Sequence, residues 1–129
     1  MHTRPFGRLG WAVSEIGHGL WGMGGWKDSR DDESVAAIEQ SLAQGVTFFD
    51  NALAYGDGKS ERLLGSVLAR HRDRRLCVAT KIPPKNLTWP ADRDARLDDV
   101  FPADHIRAST ERSLDHLGLT SIDLQQFHV

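Results

Sequence analysis

The sequence has one cysteine, Cys77, in 129 residues, and no apolar run approaches the roughly 20 residues that span a bilayer. A lone cysteine excludes a disulfide within the chain, and we expect Cys77 to be a small buried side chain. Residues 1–11 also lack the apolar core of a secretory signal. These absences predict a cytoplasmic protein with no membrane partner.

The sequence also lacks an excess of either charge, since 16 Lys and Arg residues stand against 18 Asp and Glu residues. A net charge of −2 offers no broad basic surface, so no nucleic-acid partner is expected. One basic cluster follows a helical pattern and comprises Arg70, His71, Arg72, Arg74 and Arg75. We interpret this cluster as the solvated end of a helix, which suits the helix macrodipole, rather than as a phosphate site.

What is present is an alternation of strand and helix patterns in one globular unit, with 40% apolar and 26% charged residues. The glycine-rich start predicts a small hairpin, then a buried strand at residues 16–20 and a loop at residues 21–26. Apolar spacing predicts a helix over residues 31–44, and the β-prone run 46–49 ends at Asp50.

The rest of the chain continues this alternation. Ser60 is the candidate N-cap of a second helix, and residues 76–80 form a predicted strand that ends at Lys81. Residues 82–102 hold four of the five prolines and predict a long loop, followed by a helix at 104–117 and a strand at 121–129. Strands separated by helices are expected to pair in parallel, because an antiparallel pair needs only a short turn.

Polar side chains mark the ends of the predicted strands. Asp50, Lys81 and His128 close three successive strands, and Tyr55, the only tyrosine, follows five positions after Asp50. The carboxyl ends of parallel strands lie at one face, where such folds place their active sites. The sequence therefore predicts that a carboxylate, an ammonium, a phenol and an imidazole meet at that face.

This set of groups suits acid-base chemistry on a carbonyl. A free phenol has a pKa of about 10 and donates its proton poorly near neutrality, but a neighbouring ammonium such as Lys81 stabilises the phenolate. Asp50 is placed to balance the lysine charge, and His128 to hydrogen-bond the substrate oxygen. Taken singly, the residues also fit a structural ion pair, a loop aromatic and a histidine without a role; only their combination favours a catalytic site.

Several motifs resemble those of aldo-keto reductases. Residues 49–56, FDNALAYG, resemble the Asp-Thr-Ala-x-x-Tyr-Gly signature, with Asn51 in place of the usual threonine. Further similar segments, in the same order as in the family, are Gly17-His18-Gly19-Leu20-Trp21, Ser60-Glu61-x-x-Leu64-Gly65, Ala79-Thr80-Lys81, Ser113-Leu114-x-x-Leu117-Gly118 and the strand that ends in Phe127-His128. The resemblance implies an α/β fold, the parallel (β/α)8 TIM-barrel family, and NADP(H)-dependent reduction of an aldehyde or ketone to an alcohol.

The same resemblance implies a role for each of the four residues. Tyr55 is expected to be the general acid, and Lys81 to assist it. Asp50 is expected to hold Lys81 and to contact the nicotinamide ribose of the cofactor. His128 is expected to position the carbonyl of a small-molecule substrate.

Other residues are candidates for binding rather than for catalysis. By the resemblance, Gly19, Leu20 and Trp21 lie near the nicotinamide, with packing at a strand end as the alternative for Gly19 and Leu20. Trp21, Trp26 and Trp89 are candidates for the wall of an apolar substrate pocket, and plain loop packing is the alternative.

Length is the largest departure from the family, because such barrels run to about 250 residues. Residues 1–129 are expected to form the amino-terminal half of a barrel, an incomplete domain with the hairpin, roughly the first four strands and three helices. In the family, the later strands contact the nicotinamide carboxamide and the 2′-phosphate. The open edges of the first and fourth strands are expected to need the missing half or self-association.

Two other functions compete with carbonyl reduction. The chain is alternatively a non-catalytic fragment or assembly module that keeps the four residues but lacks the main cofactor-binding segment. A metal-dependent barrel hydrolase is disfavoured because no closely spaced histidine pair ends a strand, and no metal is expected.

Overall fold

An antiparallel hairpin opens the fold, as the sequence predicts. The computed structural model describes residues 1–26 and 28–129. Strand β1 (Thr3–Phe6) pairs with β2 (Trp11–Ser14), and the stacked rings of Phe6 and Trp11 lie 6.1 Å apart. The Phe6 ring also packs 5.3 Å from Phe48, so the hairpin covers the amino-terminal end of the sheet that follows.

The described residues next form a parallel sheet of four strands in the order β3-β4-β5-β6, which confirms the predicted α/β topology. The strands are β3 (His18–Gly19), β4 (Phe48–Asp50), β5 (Cys77–Ile82) and β6 (Leu124–Phe127). Within the described part of the chain, β3 and β6 each pair on one side only.

Helices connect the strands and cover one face of the sheet. They are α1 (Asp31–Ala43), α2 (Lys59–Leu68), the single turn α3 (Leu97–Val100) and α4 (Ala103–Leu117). Gly118 follows α4 with the left-handed backbone that commonly ends a helix. Within residues 1–26 and 28–129, none of the helices has the length and apolarity required to cross a membrane.

The main core lies between this sheet face and the helices. Its members are apolar side chains with at most 8% exposure, including Leu20, Ile38, Phe49, Leu64, Val67, Val78 and Leu117. Burial of each large side chain contributes about 1.5–3 kcal/mol, so this layer holds the strand ends in place.

Some local predictions were wrong. The strand expected at residues 16–20 comprises only His18–Gly19, and Ile16 is 61% exposed. A 3-10 helix, Trp21–Met23, lies within the predicted loop at 21–26, and α3 lies within the predicted loop at 82–102. Each of these elements is a single helical turn, too short to show an apolar period.

Ser60 is not the N-cap of α2. The helix begins at Lys59, and Gly58 precedes it with φ +79° and no side-chain capping bond. The Ser60 hydroxyl instead donates to the Leu20 carbonyl at 3.0 Å and is fully buried. A tertiary contact has replaced the local capping interaction.

The basic cluster follows the end of α2, where Arg70, Arg72 and Arg75 are exposed, and some of its members also form ion pairs. It lies beyond Leu68, the last residue of α2, and connects separate elements. Arg70 and His71 both pair with Glu39 of α1 at 2.7 Å, and Arg75 pairs with Asp123 before β6 at 2.7 Å.

Candidate active site

The parallel topology brings the four predicted residues to the carboxyl ends of neighbouring strands. Asp50 is the last residue of β4 and pairs in register with Gly19 and Ala79. Lys81 is the penultimate residue of β5. His128 follows β6, and its backbone N–H donates to the Ile82 carbonyl at 2.9 Å.

The Lys81 ammonium is the centre of this group. Its Nζ donates to Asp50 Oδ1 at 2.8 Å, to the Asn51 carbonyl at 2.7 Å and to the Tyr55 hydroxyl at 3.4 Å. The lysine side chain is 14% exposed, whereas that of Asp50 is 41% exposed. The arrangement therefore places a largely buried cation, with its counter-charge, beside the phenol oxygen.

Tyr55 lies in the turn that connects β4 to α2. Its backbone N–H donates to the Ala52 carbonyl at 3.0 Å. The next residue, Gly56, has φ +66°, and a Cβ there would collide with the Gly24 carbonyl. Only glycine allows this approach, so the Tyr-Gly order of the motif has a steric cause.

His128 closes the site on the side opposite the turn. Its ring meets the Tyr55 ring edge to face at 5.7 Å, and Trp89 at 5.4 Å. Burial, then the positive charge of Lys81, lower the pKa of His128, and Asp50 opposes this shift. Among the described residues, Nδ1 of His128 is buried without a hydrogen-bond partner. Burial and the Lys81 charge therefore favour the neutral imidazole.

Three tryptophans surround these residues. Trp21 and Trp26 pack at 5.3 Å, and Trp26 meets Tyr55 edge to face at 6.3 Å. Trp89 lies on the other side, where its Nε1–H donates to the His128 carbonyl at 2.8 Å. Trp21 is 54% exposed and Trp89 is 41% exposed, so both present apolar surface to solvent.

Gly19 and Leu20 occupy different environments at the end of β3. Gly19 is exposed, and a Cβ there would have no neighbour within 4 Å among the described residues. Leu20 is 0% exposed and belongs to the core, and its backbone N–H donates to the Asp50 carbonyl at 2.9 Å. Gly19 therefore forms open surface at the site, whereas the Leu20 side chain packs in the core beneath the strand end.

Sequence reasoning missed two contacts in this region. The Asn51 carbonyl, rather than its side chain, binds Lys81, while Asn51 Oδ1 accepts the backbone N–H of Ala52 at 2.9 Å. The bond from Trp89 to the His128 carbonyl joins residues 39 positions apart. The place of Asn51 directly after Asp50 could have indicated the first contact, but no local signal indicates the second.

Among the described residues, one cavity lies at each end of the sheet. One of about 530 Å³ lies beside Trp89, and its lining includes Leu53, Ala54, Lys85 and His105. The other, of about 270 Å³, lies beside the basic cluster, far from the carboxyl strand ends. None of the four polar residues lines either cavity, and the first is connected to them through Trp89, which packs against His128.

Parallel βα units with a polar site at the carboxyl ends of the strands are the architecture of (β/α)8 barrels. Residues 15–129 match the model of the Aldo/keto reductase family, so this chain belongs to that family of oxidoreductases. Aldo-keto reductase YhdN of Bacillus subtilis is 34% identical over 119 residues, which cover 90% of this chain and 34% of YhdN.

Solved structures agree with this assignment and confirm the barrel fold class. The thermostable aldo-keto reductase Tm1743, solved with the inhibitor epalrestat, superposes with a TM-score of 0.79 at 29% identity, covering 99% of this chain and 43% of that one. An aldo-keto reductase from Klebsiella pneumoniae, solved with NADPH, gives 0.72 at 29% identity, covering 98% and 39%. The chain thus spans less than half the length of these relatives.

Proposed function

We propose that the protein to which this chain belongs reduces an aldehyde or ketone to an alcohol with NADP(H), and that this chain supplies the proton. The observation that carries the proposal is the Lys81 Nζ position, 3.4 Å from the Tyr55 hydroxyl and 2.8 Å from Asp50. A phenol beside a paired ammonium is suited to giving its proton to a carbonyl oxygen.

In this mechanism Tyr55 donates its proton as the carbonyl oxygen gains negative charge. Lys81 stabilises the phenolate that remains, and Asp50 keeps the lysine charge balanced in a partly desolvated site. His128, whose pKa is lowered, is neutral near pH 7 and has one ring N–H to donate to the substrate oxygen. It orients the carbonyl without adding a second cation beside Lys81.

The residues at the end of β3 fit the nicotinamide end of the cofactor. Gly19 leaves open space, Trp21 presents an exposed ring, and the half-exposed Asp50 carboxylate is available to a ribose hydroxyl. When bound, the nicotinamide supplies the hydride that reduces the carbonyl carbon. The Klebsiella pneumoniae relative solved with NADPH supports this choice of cofactor.

The substrate pocket is proposed to lie between the tryptophans. Trp26 packs against Tyr55 on one side and Trp89 against His128 on the other, so the reacting oxygen would lie between apolar walls. This arrangement favours a carbonyl compound with an apolar or aromatic body.

A second candidate is the non-catalytic assembly module, favoured by the open edges of the sheet. Strands β3 and β6 have unpaired edges within the described part of the chain. We propose that residues 1–129 form the amino-terminal half of a barrel, and that further strands or a second copy cover these edges. In the module hypothesis the same edges serve assembly, and cofactor is not bound.

Tyr55→Phe tests the catalytic proposal in the full-length product of the coding sequence. We expect loss of NADPH-dependent reduction by about 10²-fold or more, because the general acid is removed. Quenching of tryptophan fluorescence by NADPH should be unchanged, because the phenylalanine ring preserves packing. Wild-type turnover by the variant would remove Tyr55 from its role, and absence of quenching in the wild type would favour the module.

A further inference from the structure

Glu61, in the first turn of α2, is a buried carboxyl group that the proposed reaction does not use. Its side chain is 0% exposed. The Thr80 hydroxyl donates to Glu61 Oε1 at 2.6 Å, and His116 Nδ1 lies 3.0 Å from Oε2. A carboxyl group in this environment is stable only when well bonded, so these two partners define its position closely.

Thr80 links this carboxyl group to the active site. It directly precedes Lys81 on β5, and successive side chains of a strand point to opposite faces. The Thr80 hydroxyl therefore points to α2 in the helix layer, while Lys81 extends to Asp50 and Tyr55. A hydrogen bond at Thr80 restrains the backbone from which the lysine side chain projects.

The other oxygen of Glu61 is held by α4. His116 Nε2 lies 3.1 Å from a guanidinium nitrogen of Arg62, so Nε2 accepts and Nδ1–H donates to Glu61. A Cβ on Gly58 would collide with the His116 ring, and one on Gly65 would meet the His116 carbonyl at 2.5 Å. Because the two helices approach so closely, His116 has no room to turn away from Glu61.

We propose that Glu61 is a positioning residue for Lys81, acting through Thr80. The bond between Glu61 and the Thr80 hydroxyl fixes the position of β5 relative to α2. In that position the Lys81 ammonium reaches the Tyr55 hydroxyl. That contact, at 3.4 Å, is the longest of the three that Lys81 makes, so it is the most sensitive to a small shift of the strand. The catalytic consequence rests on the proposed function, whereas the position of Lys81 is measurable without catalysis.

Thr80→Val and Thr80→Ser form the test pair, in the full-length product of the coding sequence. Valine removes the hydroxyl with little change of volume, and serine retains it. The first readout is the 13Cε NMR signal of Lys81, assigned through its loss in Lys81→Met. We expect the signal to move in Thr80→Val and to keep its wild-type position in Thr80→Ser. An unmoved signal in Thr80→Val, or an equal shift in both variants, overturns the proposal.

Catalysis provides the second readout. In Thr80→Val we expect kcat to fall on the order of tenfold, with NADPH affinity unchanged, because a displaced lysine assists the phenol less well. The solvent deuterium isotope effect on kcat should rise, since proton donation becomes slower, and Thr80→Ser should restore both values. A lower kcat with an unchanged isotope effect indicates only loss of folded protein and overturns the proposal. If the wild type reduces no carbonyl but the Lys81 signal moves in Thr80→Val and not in Thr80→Ser, the proposed function fails and the positioning by Glu61 stands.

Discussion

The Lys81 ammonium has three N–H donors, and each has a partner in the protein. Two partners are the side chains of Asp50 and Tyr55, but the third is the backbone oxygen of Asn51. A backbone contact does not depend on the side chain at that position. This explains why asparagine in place of the family's usual threonine is compatible with the arrangement.

Lys81→Met removes the cation from beside the phenol and leaves Asp50 without its partner. We expect kcat to fall by about 10²-fold or more, because Tyr55 loses the charge that stabilises its phenolate. Steady-state kinetics with NADPH in the full-length product measures this effect, and Lys85→Met, at an exposed position, is the matched control. Equal rates for the two variants would contradict the assignment of Lys81.

Trp89→Phe keeps an aromatic ring against His128 but removes the hydrogen bond from Trp89 Nε1 to the His128 carbonyl. A net loss of about 0.5–1.5 kcal/mol is typical for one hydrogen bond, so we expect kcat/KM to fall roughly two- to tenfold through poorer placement of the imidazole. Trp11→Phe, in the hairpin at the opposite end of the sheet, should leave kcat/KM unchanged. An equal effect of both substitutions would show that Trp89 has no special role.

Cys77 is a buried thiol at the start of β5. Burial raises its pKa, an effect that Arg75 opposes and Asp123 supports. Because the thiolate is the reactive form, we expect alkylation of the native protein to be slower than that of the urea-unfolded chain by on the order of 10²-fold or more. Alkylation kinetics with mass spectrometry checks this, and equal rates would mean that the thiol is accessible in the folded protein.

At the scale of elements, α2 and α4 pack closely enough to constrain the residues behind the site. Gly65 on α2 lies against the last turn of α4, with no space for a Cβ. The same contact carries Glu61 and His116, so helix packing and the placement of β5 are physically connected. The small residue in the Leu-Gly pair of the motif is required by the neighbouring backbone.

Gly65→Ala should therefore destabilise the protein by about 1–3 kcal/mol, because the added methyl group meets backbone atoms that cannot yield. Gly22→Ala is the control, since a Cβ there meets nothing within 4 Å among the described residues. Urea unfolding followed by circular dichroism gives both free energies of unfolding. Equal stability of the two variants would show that α2 and α4 can move apart without a loss in the free energy of unfolding.

At the scale of the whole molecule, two partly buried histidines couple folding to pH. Burial lowers the pKa of His18, and burial together with Lys81 lowers that of His128, against the opposing charge of Asp50. Each group therefore binds a proton more readily in the unfolded chain. As the pH falls below the ordinary histidine value of 6.5, the unfolded state is protonated first and stability is lost.

Urea unfolding midpoints across neutral and mildly acidic pH measure this effect. We expect the urea concentration at the midpoint to decrease as the pH is lowered below 6.5. In His18→Gln this decrease should be smaller. The exposed His2→Gln serves as the control and should leave the slope unchanged. A midpoint that rises on acidification would contradict the direction of both pKa shifts.

Much of the fold could be predicted from residue order, because periodicity and turn residues act over a few positions. The parallel sheet, three of the helices and the strand end at Asp50 followed from such patterns, and the strand predicted to end at Lys81 extends one residue further, to Ile82. The role of Ser60 was missed because its hydroxyl binds Leu20, 40 positions away, in place of a local N–H. The helical turns at Trp21–Met23 and Leu97–Val100 were missed because they are too short to show a period.

The sequence by itself determined the alternation of strands and helices and which residue types stand where strands end, since both are properties of neighbours along the chain. Only the tertiary structure decided the bond of Trp89 to His128, the backbone contact of Lys81, and the burial of Glu61 between Thr80 and His116. The physical reason is that these contacts join distant segments, whose separation depends on how closely strands and helices pack.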